Sequence, residues 1–163
     1  MLFRSAGGTS RAAIYALHKL GFATIYLFNR TRQSAEALVN AFANANVVII
    51  DELGTWPEGG SPPLVVVSTV PASATTTDPA VENALFLPSS IFATHFEGVV
   101  VDMAYKPAET PLLALAANAA KGWRSVRGVQ VLLEQGFMQF YLWTGRRCPR
   151  RVVSERVWSK YNA

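Results

Sequence analysis

Short apolar runs alternate with segments of helical periodicity along this chain. Four runs, residues 23–28, Val47–Ile50, 64–67 and 99–101, are apolar or aromatic and carry little polar alternation, which indicates strands. Apolar strands that are separated by helices are typical of a parallel sheet covered on both faces. The pattern therefore predicts an α/β fold with a doubly wound parallel sheet.

Helical spacing of apolar positions recurs between and after these runs. The predicted helices cover residues 10–20, 31–42, Pro111–Ala119, 129–143 and Arg150–Tyr161. Gly21 suits the end of the first helix and Thr31 the N-cap of the second. Residues 54–63 and 71–79 are rich in Gly, Pro, Ser and Thr and are expected to be loops.

The predicted sheet begins abruptly. A doubly wound fold starts with a central strand, yet Met1, Leu2 and Phe3 are the only apolar residues before Arg4. A short central strand would leave neighbouring backbone partly unpaired. We therefore expect a truncated first strand, in a chain that is a fragment or a shortened gene product.

Length and charge suggest one domain followed by a basic tail. The chain has 163 residues, of which 50% are hydrophobic and 16% charged, and its formal net charge is +4. This is enough apolar material for one core. Much of the positive charge follows residue 145, so we expect a dinucleotide-binding domain over residues 1–145 and a basic helical tail over 146–163. We interpret that tail as a solvated helix end rather than a nucleic-acid contact.

Cysteine and histidine give no sign of a metal site or a disulfide. Cys148 is the only cysteine, and the two histidines, His18 and His95, have no ligand spacing. No signal peptide and no membrane-spanning run is visible, so we expect a cytoplasmic protein.

A glycine pair precedes the first predicted helix. Glycines there let the backbone approach a pyrophosphate, whose oxygens accept hydrogen bonds from the amides of the helix N-terminus. The candidate pyrophosphate-binding residues are Ala6, Gly7, Gly8 and Thr9. Taken alone, the pair is also compatible with a tight turn.

A basic segment follows the second predicted strand, about twenty residues after the glycines, as a nucleotide fold requires. A fold that selects NAD places an acidic residue there, on the ribose 2′-hydroxyl. Arg30 and Arg32 would instead pair with a 2′-phosphate, which favours NADP. The candidate residues are Asn29, Arg30, Thr31 and Arg32. The alternative is a solvated arginine pair at a helix start.

Further candidates lie where later strands end and where the long helix begins. Ser68, Thr69 and Val70 follow a strand, at the edge where such sheets bind ligands, although they also suit an ordinary polar turn. Tyr105 lies at the expected mouth of the sheet, where it would bond a polyol or a carboxylate. Gln135 is an amide on an apolar helix, where a buried glutamine needs a ligand or the backbone as its partner.

Taken together and in their order along the chain, these motifs resemble those of the shikimate dehydrogenase family. The family's glycine-rich turn, G-x-G-G-x-x-R-A, is matched at Gly7, Gly8, Arg11 and Ala12, with Ser5 in place of its first glycine. Its N-R-T is matched at residues 29–31. The family has a second arginine four residues after the first; that position is Ser34 here, and the nearby Arg32 would substitute for it. Its D-x-x-Y-x-P-x-x-T-P-L is matched at Asp102, Tyr105, Pro107, Thr110, Pro111 and Leu112. Its G-x-x-x-L-x-x-Q is matched at Gly128, Leu132 and Gln135.

The resemblance implies a Rossmann-like domain that binds NADP. It places Arg30 on the 2′-phosphate, Gly128 against the nicotinamide, and Tyr105 and Gln135 at the substrate. Val131, near the start of the predicted 129–143 helix, is also expected to contact the cofactor. The family reduces 3-dehydroshikimate, or the quinate equivalent, with NADPH.

No catalytic residue is assigned in this chain. The family's acid–base lysine and aspartate lie upstream of the glycine-rich turn, and no residue here matches them. We therefore expect an NADP-binding portion that is inactive alone and takes its substrate domain, or other pathway domains, from elsewhere.

The loops and the 139–145 ending look most like the fungal members of the family, which occur in a pentafunctional shikimate-pathway polypeptide and in a quinate repressor. The tail after Gly145 departs from the enzyme pattern, which favours the alternative of a non-catalytic regulatory domain of a nuclear repressor.

Overall fold

A computed structural model describes residues 7–92, 97–119 and 122–161 of the chain. The expected first strand at residues 1–3, and the candidate Ala6, lie outside the described residues. No described helix is long and apolar enough to cross a membrane.

The first part of the fold is a helix–strand–helix–strand unit. Helix α1 spans Gly8–Lys19, strand β1 Ile25–Phe28, helix α2 Arg32–Ala41 and strand β2 Val47–Ile50. The two strands are parallel, and their register runs from Ile25 opposite Val47 to Phe28 opposite Ile50. Because α2 connects two parallel neighbours, the carboxyl ends of β1 and β2 lie side by side.

The second part contains a three-stranded parallel sheet of β3, Val65–Ser68, β6, Gly98–Asp102, and β7, Trp123–Val126, in that order. Helix α3, Pro111–Ala119, lies between β6 and β7 along the chain. Short strands β4, Thr75–Thr76, and β5, Leu85–Phe86, form a separate parallel pair between two 3₁₀ turns. Helices α4, Gly128–Thr144, and α5, Arg150–Tyr161, follow β7.

Side chains of β1 and β3 are buried on both faces, in two different cores. Ile25 and Leu27 pack with Ile14 of α1, whereas Tyr26 packs in the cluster that contains the α3 side chains. In β3, Val67 joins the first cluster and Val66 the second. Successive side chains of a strand point to opposite faces, so helices cover both faces of the parallel sheets. The α/β, doubly wound prediction is confirmed.

The helical tail packs on α4 through one residue in particular. Arg150 donates hydrogen bonds to both carboxylate oxygens of Glu134, and its guanidinium lies 4.6 Å from the ring centroid of Phe137. Half-buried Val153 and Val157 occupy one side of α5, one turn apart. The expected C-terminal helix is confirmed.

Sequence patterns located the five α-helices to within a few residues but missed strand β7. Its sequence, Trp-Arg-Ser-Val, contains two exposed polar residues, Arg124 and Ser125, because β7 pairs on one side only with β6 within the described sheet. An edge strand of this kind lacks the uninterrupted apolar run that marked the central strands. The loop expected over residues 71–79 also contains a 3₁₀ turn at Ala72–Ala74 and strand β4.

Candidate functional site

Most of the candidate residues lie at one edge of the parallel sheets. The 29–32 segment follows β1, Ser68 ends β3, and Asp102 ends β6. Because Ser68 is in register with Asp102, the chain leaves the two strands at the same level. The backbone amide of Met103 donates to the Ser68 carbonyl at 2.9 Å, which holds the two departing segments together.

The start of α1 is joined to the loop after β3. The hydroxyls of Ser10 and Thr69 lie 2.9 Å apart, and Ser10 is fully buried. Gly7 is the N-cap residue of α1, and the first turn contains no acidic side chain. The positive end of the helix dipole is therefore directed toward the same edge as the carboxyl ends of the strands.

Gly8 has open space where a side chain would project. A Cβ built at this position meets no heavy atom of the described residues within 4 Å, and Gly7, Gly8 and Thr9 are all exposed. Packing among the described residues therefore does not require glycine at position 8. A glycine that the protein's own packing does not need suits a surface that another molecule approaches closely, so the residues present fit a bound diphosphate.

Gly128 differs from Gly8, because its own chain crowds it. A Cβ built there would lie 2.5 Å from the carbonyl oxygen of Met103 and 2.4 Å from that of Ala104. The lack of a side chain lets the start of α4 contact the segment after β6, whether or not a ligand is present. The turn before α4 is closed by a 2.9 Å hydrogen bond from the Arg127 amide to the Gln130 side chain.

A buried carboxyl group organises the loop that carries Tyr105. Asp102 is 2% exposed and accepts hydrogen bonds from the Thr110 hydroxyl at 2.6 Å and from the Ala104 amide at 3.1 Å. Burial raises the pKa of Asp102 above its ordinary value of 3.8, although these hydrogen bonds act in the opposite direction. Asp102 is thus a structural anchor beneath the site.

Tyr105 borders an open cleft of about 510 Å³. The cleft lies between the 3₁₀ turn after β3 and the loop after β6, and Lys106, Ser73 and Pro111 also line it. Tyr105 is 46% exposed, so its hydroxyl is accessible to a small polar molecule. Lys106 is exposed, as expected of a loop charge.

The basic segment after β1 is only partly available for an anion. Arg32 donates to Asp51 at 2.8 Å and to Glu36 at 3.2 Å. The side-chain amide of Asn29 donates to the Thr31 carbonyl at 2.7 Å, which orders the turn. Arg30 is exposed and has no ion pair within the described part of the chain.

The start of α4 adds two candidates of different accessibility. Val131 is half-buried and Gln135 is exposed. The expectation of a buried glutamine that needs a partner is wrong, because position 135 lies outside the buried face that Val129, Leu133 and Phe137 form. Val70, in the loop after β3, is 8% exposed, so its side chain faces the core.

Sequence reasoning missed several residues that shape this edge. Ser10 occupies a buried position among the apolar residues of α1, and a polar residue on an apolar helix face was its available signal. Asp51 follows directly after β2, and strand ends of such sheets are where ligand-facing side chains lie. Among the described residues, no group of three His, Cys, Asp or Glu side chains forms a metal site.

Part of the chain matches the model of a known protein family. Residues 128–157 match the model of the shikimate 5′-dehydrogenase C-terminal domain. The match extends past Gly145 into α5, so the expectation that the tail departs from the family pattern is wrong.

Two similar curated proteins are fungal. The chain is 39% identical over 177 residues to a pentafunctional AROM polypeptide of Mycosarcoma maydis, covering 96% of the chain and 10% of that protein. It is 36% identical over 175 residues to a quinate repressor protein of Emericella nidulans, covering 98% of the chain and 19% of that protein. The chain therefore spans between about a tenth and a fifth of the length of these relatives.

Solved structures agree with the sequence matches. The dehydroquinate dehydratase and shikimate dehydrogenase portion of S. pombe AroM superimposes with a TM-score of 0.72 at 37% identity, over 96% of this chain and 29% of that one. The Thermus thermophilus shikimate 5-dehydrogenase in complex with NADP(H) and shikimate gives a TM-score of 0.66 at 29% identity, over 92% of this chain and 51% of that one. Over nearly its whole length the chain is therefore similar to shikimate dehydrogenases, including a fungal one, and its residues 128–157 match that family's C-terminal domain.

Proposed function

We propose that this chain is the NADP(H)-binding portion of a shikimate or quinate dehydrogenase. The observation that carries the proposal is the Ser10–Thr69 contact, which holds the start of α1 against the loop after β3. That contact brings the glycine turn and residues 68–70 together, at the kind of edge where doubly wound sheets bind nucleotides. A relative of similar fold, the T. thermophilus enzyme, is described as a complex with NADP(H) and shikimate.

The start of α1 would bind the diphosphate. The exposed residues Gly7, Gly8 and Thr9 begin the helix, and Gly8 leaves space for close approach. Backbone amides at a helix N-terminus donate to phosphate oxygens and are favoured by the helix dipole. Ala6 precedes this turn and is proposed to take part in it.

The segment after β1 would contact the adenosine side. Arg30 is exposed and would form charge-assisted hydrogen bonds to the 2′-phosphate. Arg32 is close in sequence and contributes less, because Asp51 and Glu36 already accept its hydrogen bonds. Asn29 would act indirectly, by ordering the turn through the Thr31 carbonyl.

The segments after β3 and β6 would surround the nicotinamide and the substrate. Backbone of residues 68–70, with Gly128 and Val131 at the start of α4, would flank the nicotinamide. NADPH, when bound, supplies the hydride that reduces the carbonyl of 3-dehydroshikimate. Tyr105 and Gln135 are exposed, and their side chains would bind and orient the polar groups of the substrate.

We further propose that the chain does not turn over substrate alone. No lysine or aspartate here matches the acid–base pair that the family resemblance implies, and Asp102 is buried and bonded to Thr110. Lack of a positioned acid–base group slows such a reaction by about 10²–10⁴-fold. The domain would comprise residues 1–145, and the basic helical tail of residues 146–163 would extend it, since the family match runs on to residue 157. A substrate domain or other pathway domains would complete it in the cytoplasm.

A second candidate function is a non-catalytic regulatory domain of a quinate-pathway repressor, acting in the nucleus. Its support is the 36% identity to the quinate repressor protein over 98% of the chain. In that case the same edge would bind a pathway metabolite or the coenzyme as a signal. Nucleic-acid contact is not assigned to this domain in either case.

Titration of the chain with NADPH, followed by coenzyme fluorescence, tests the proposal. Gly8→Ala is the informative variant, because its methyl group meets no atom of the described residues within 4 Å and would obstruct a bound diphosphate. Gly136→Ala is the matched control, since a Cβ there also meets open space but lies within α4. We expect saturable NADPH binding that Gly8→Ala weakens by at least tenfold and Gly136→Ala leaves unchanged. Absence of saturable binding up to millimolar NADPH contradicts the proposal.

The two functions are distinguished by assaying the full-length protein, with its upstream region, for coenzyme binding and for reduction of 3-dehydroshikimate. A full-length protein with the lysine–aspartate pair that reduces 3-dehydroshikimate is the enzyme. A full-length protein that binds coenzyme or metabolite without turnover supports the repressor alternative.

A further inference from the structure

Arg32 is held by two carboxylates at the edge that would receive the adenosine. Its Nη1 donates to Oδ1 of Asp51 at 2.8 Å, and its Nε donates to Oε1 of Glu36 at 3.2 Å. Glu36 is one turn along α2 from Arg32, an ordinary surface pair. Asp51 comes from a different strand, 19 residues away in sequence, so its contact with Arg32 is a feature of the tertiary fold.

The register of the first two strands explains why Asp51 reaches this place. Phe28, the last residue of β1, is opposite Ile50, the last residue of β2. The next residues, Asn29 and Asp51, leave the sheet side by side. An acidic residue at the end of β2 is therefore adjacent to the basic segment at the end of β1.

Charge at this edge is balanced, with little positive excess. Arg30 and Arg32 contribute two positive charges, whereas Glu36 and Asp51 contribute two negative charges. Glu52, the next residue after Asp51, is also exposed. A ribose 2′-phosphate is a dianion or close to it, so nearby carboxylates oppose its binding, whereas a neutral 2′-hydroxyl is almost unaffected.

We propose that Asp51 is a specificity-determining positioning residue, which acts through Arg32 to narrow the preference of this site for NADPH over NADH. The proposal rests on the coenzyme site proposed above. Asp51 occupies a donor of Arg32 that a 2′-phosphate would otherwise use, and its charge offsets the positive charge with which Arg32 would attract that phosphate. Arg30 then carries most of the recognition of the 2′-phosphate.

Both side chains are well exposed, which bounds the size of the effect. The side chains of Arg32 and Asp51 are 64% and 84% exposed, so water and salt screen their interaction. Removing one such charge changes an affinity by several-fold rather than by orders of magnitude. The effect should be largest at low ionic strength and should shrink toward 0.5 M salt.

The test is a set of titrations of the full chain with NADPH and with NADH at low and high salt. In Asp51→Asn, we expect the Kd for NADPH to fall about two- to fivefold at low salt, with the Kd for NADH changed by less than twofold. Glu155→Gln is the matched control, because it removes the same charge from another exposed arginine pair, with Arg151 in α5. It should leave the NADPH-to-NADH ratio unchanged.

A second variant shows whether the gain passes through Arg32. Asp51→Asn should raise the NADPH affinity of an Arg32→Gln variant by much less than it raises that of the unaltered chain. A gain that persists in this double variant, or a Kd for NADPH that rises in Asp51→Asn, overturns the proposal; the second result would mean that Asp51 orients Arg32 toward the phosphate. If the unaltered chain binds neither coenzyme, the proposed function itself fails, and this inference fails with it.

Discussion

The Asp102 carboxylate and the Thr110 hydroxyl form a 2.6 Å hydrogen bond that closes the loop carrying Tyr105. Thr110 is 1% exposed, and its oxygen lies 3.3 Å from the amide of Leu113, which donates to it in the first turn of α3. One buried pair thus fixes the end of β6, the loop and the start of the next helix. The candidate substrate-facing residue is held in place from beneath.

Removing the hydroxyl of Thr110 should destabilise the fold. Thr110→Val keeps the size of the side chain but removes the hydroxyl donor to Oδ2 of the buried Asp102 carboxylate, at an expected loss of about 1.5–3 kcal/mol in the free energy of unfolding. Thr110→Ser keeps the hydroxyl and is the control, with a loss of less than half as much. Urea unfolding measures both, and equal losses would show that the methyl group rather than the hydrogen bond matters.

Asp102 should also make stability depend on pH in a defined direction. Because burial raises the pKa of Asp102, the folded state binds the proton more tightly than the unfolded state above the ordinary value of 3.8. Unfolding then releases a proton, so stability falls as pH rises from about 4 through the raised pKa. Asp102→Asn removes this slope. Unfolding curves of the two proteins from pH 4 to pH 8 should therefore diverge in favour of the asparagine variant.

The strongest sequence signals were those that depended on one element at a time. Apolar periodicity located α1 to α5, and uninterrupted apolar runs located β1, β2, β3 and β6. Edge strand β7 was missed because its exposed positions do not need apolar residues. The buried or exposed state of Gln135 was missed for a related reason: it depends on which face of α4 meets the rest of the protein.

The candidate site was predictable as a set of motifs but not as a set of contacts. The glycine turn, the basic segment and the Tyr105 motif were recognised from local sequence, and the fold brings them to one edge. The pairing of Asp51 with Arg32 depends on strand register, and that of Ser10 with Thr69 on how α1 packs. Neither relationship is visible in the spacing of residues along the chain.

Ser10 and Thr69 should be energetically coupled. Their hydroxyls are 2.9 Å apart, and Ser10 is fully buried, so Thr69→Val leaves the Ser10 hydroxyl in a dry environment without this contact. A double-mutant cycle with Ser10→Ala and Thr69→Val should give a coupling free energy of about 0.5–1.5 kcal/mol. The cycle is measured by urea unfolding. A coupling energy near zero would show that the two segments are held together by apolar packing alone.

Gly128 and Gly136 should respond in opposite directions to the same substitution. Gly128→Ala forces a methyl group against the carbonyl oxygens of Met103 and Ala104, and overpacking of this kind costs about 1–3 kcal/mol. Gly136→Ala places the methyl group in open space within α4 and should stabilise the protein by about 0.5–1 kcal/mol. Thermal unfolding compares them directly. If Gly128→Ala is as stable as Gly136→Ala, the close approach of α4 to the segment after β6 is not present in solution.

Arg150 should hold α5 against α4. Its guanidinium pairs with Glu134 and lies over the ring of Phe137, whereas Arg151 pairs with Glu155 within α5 itself. Both ion pairs are exposed, so neither change should alter global stability by more than about 1 kcal/mol. Hydrogen exchange is the sharper measurement, because Arg150→Ala should lower the protection of α5 amides while leaving those of β1 and β2 unchanged. Arg151→Ala is the control, because it removes an ion pair of the same type that lies within α5 and does not contact α4. An equal loss of protection in that variant would mean that the intrinsic stability of the helix, rather than its docking on α4, orders the tail.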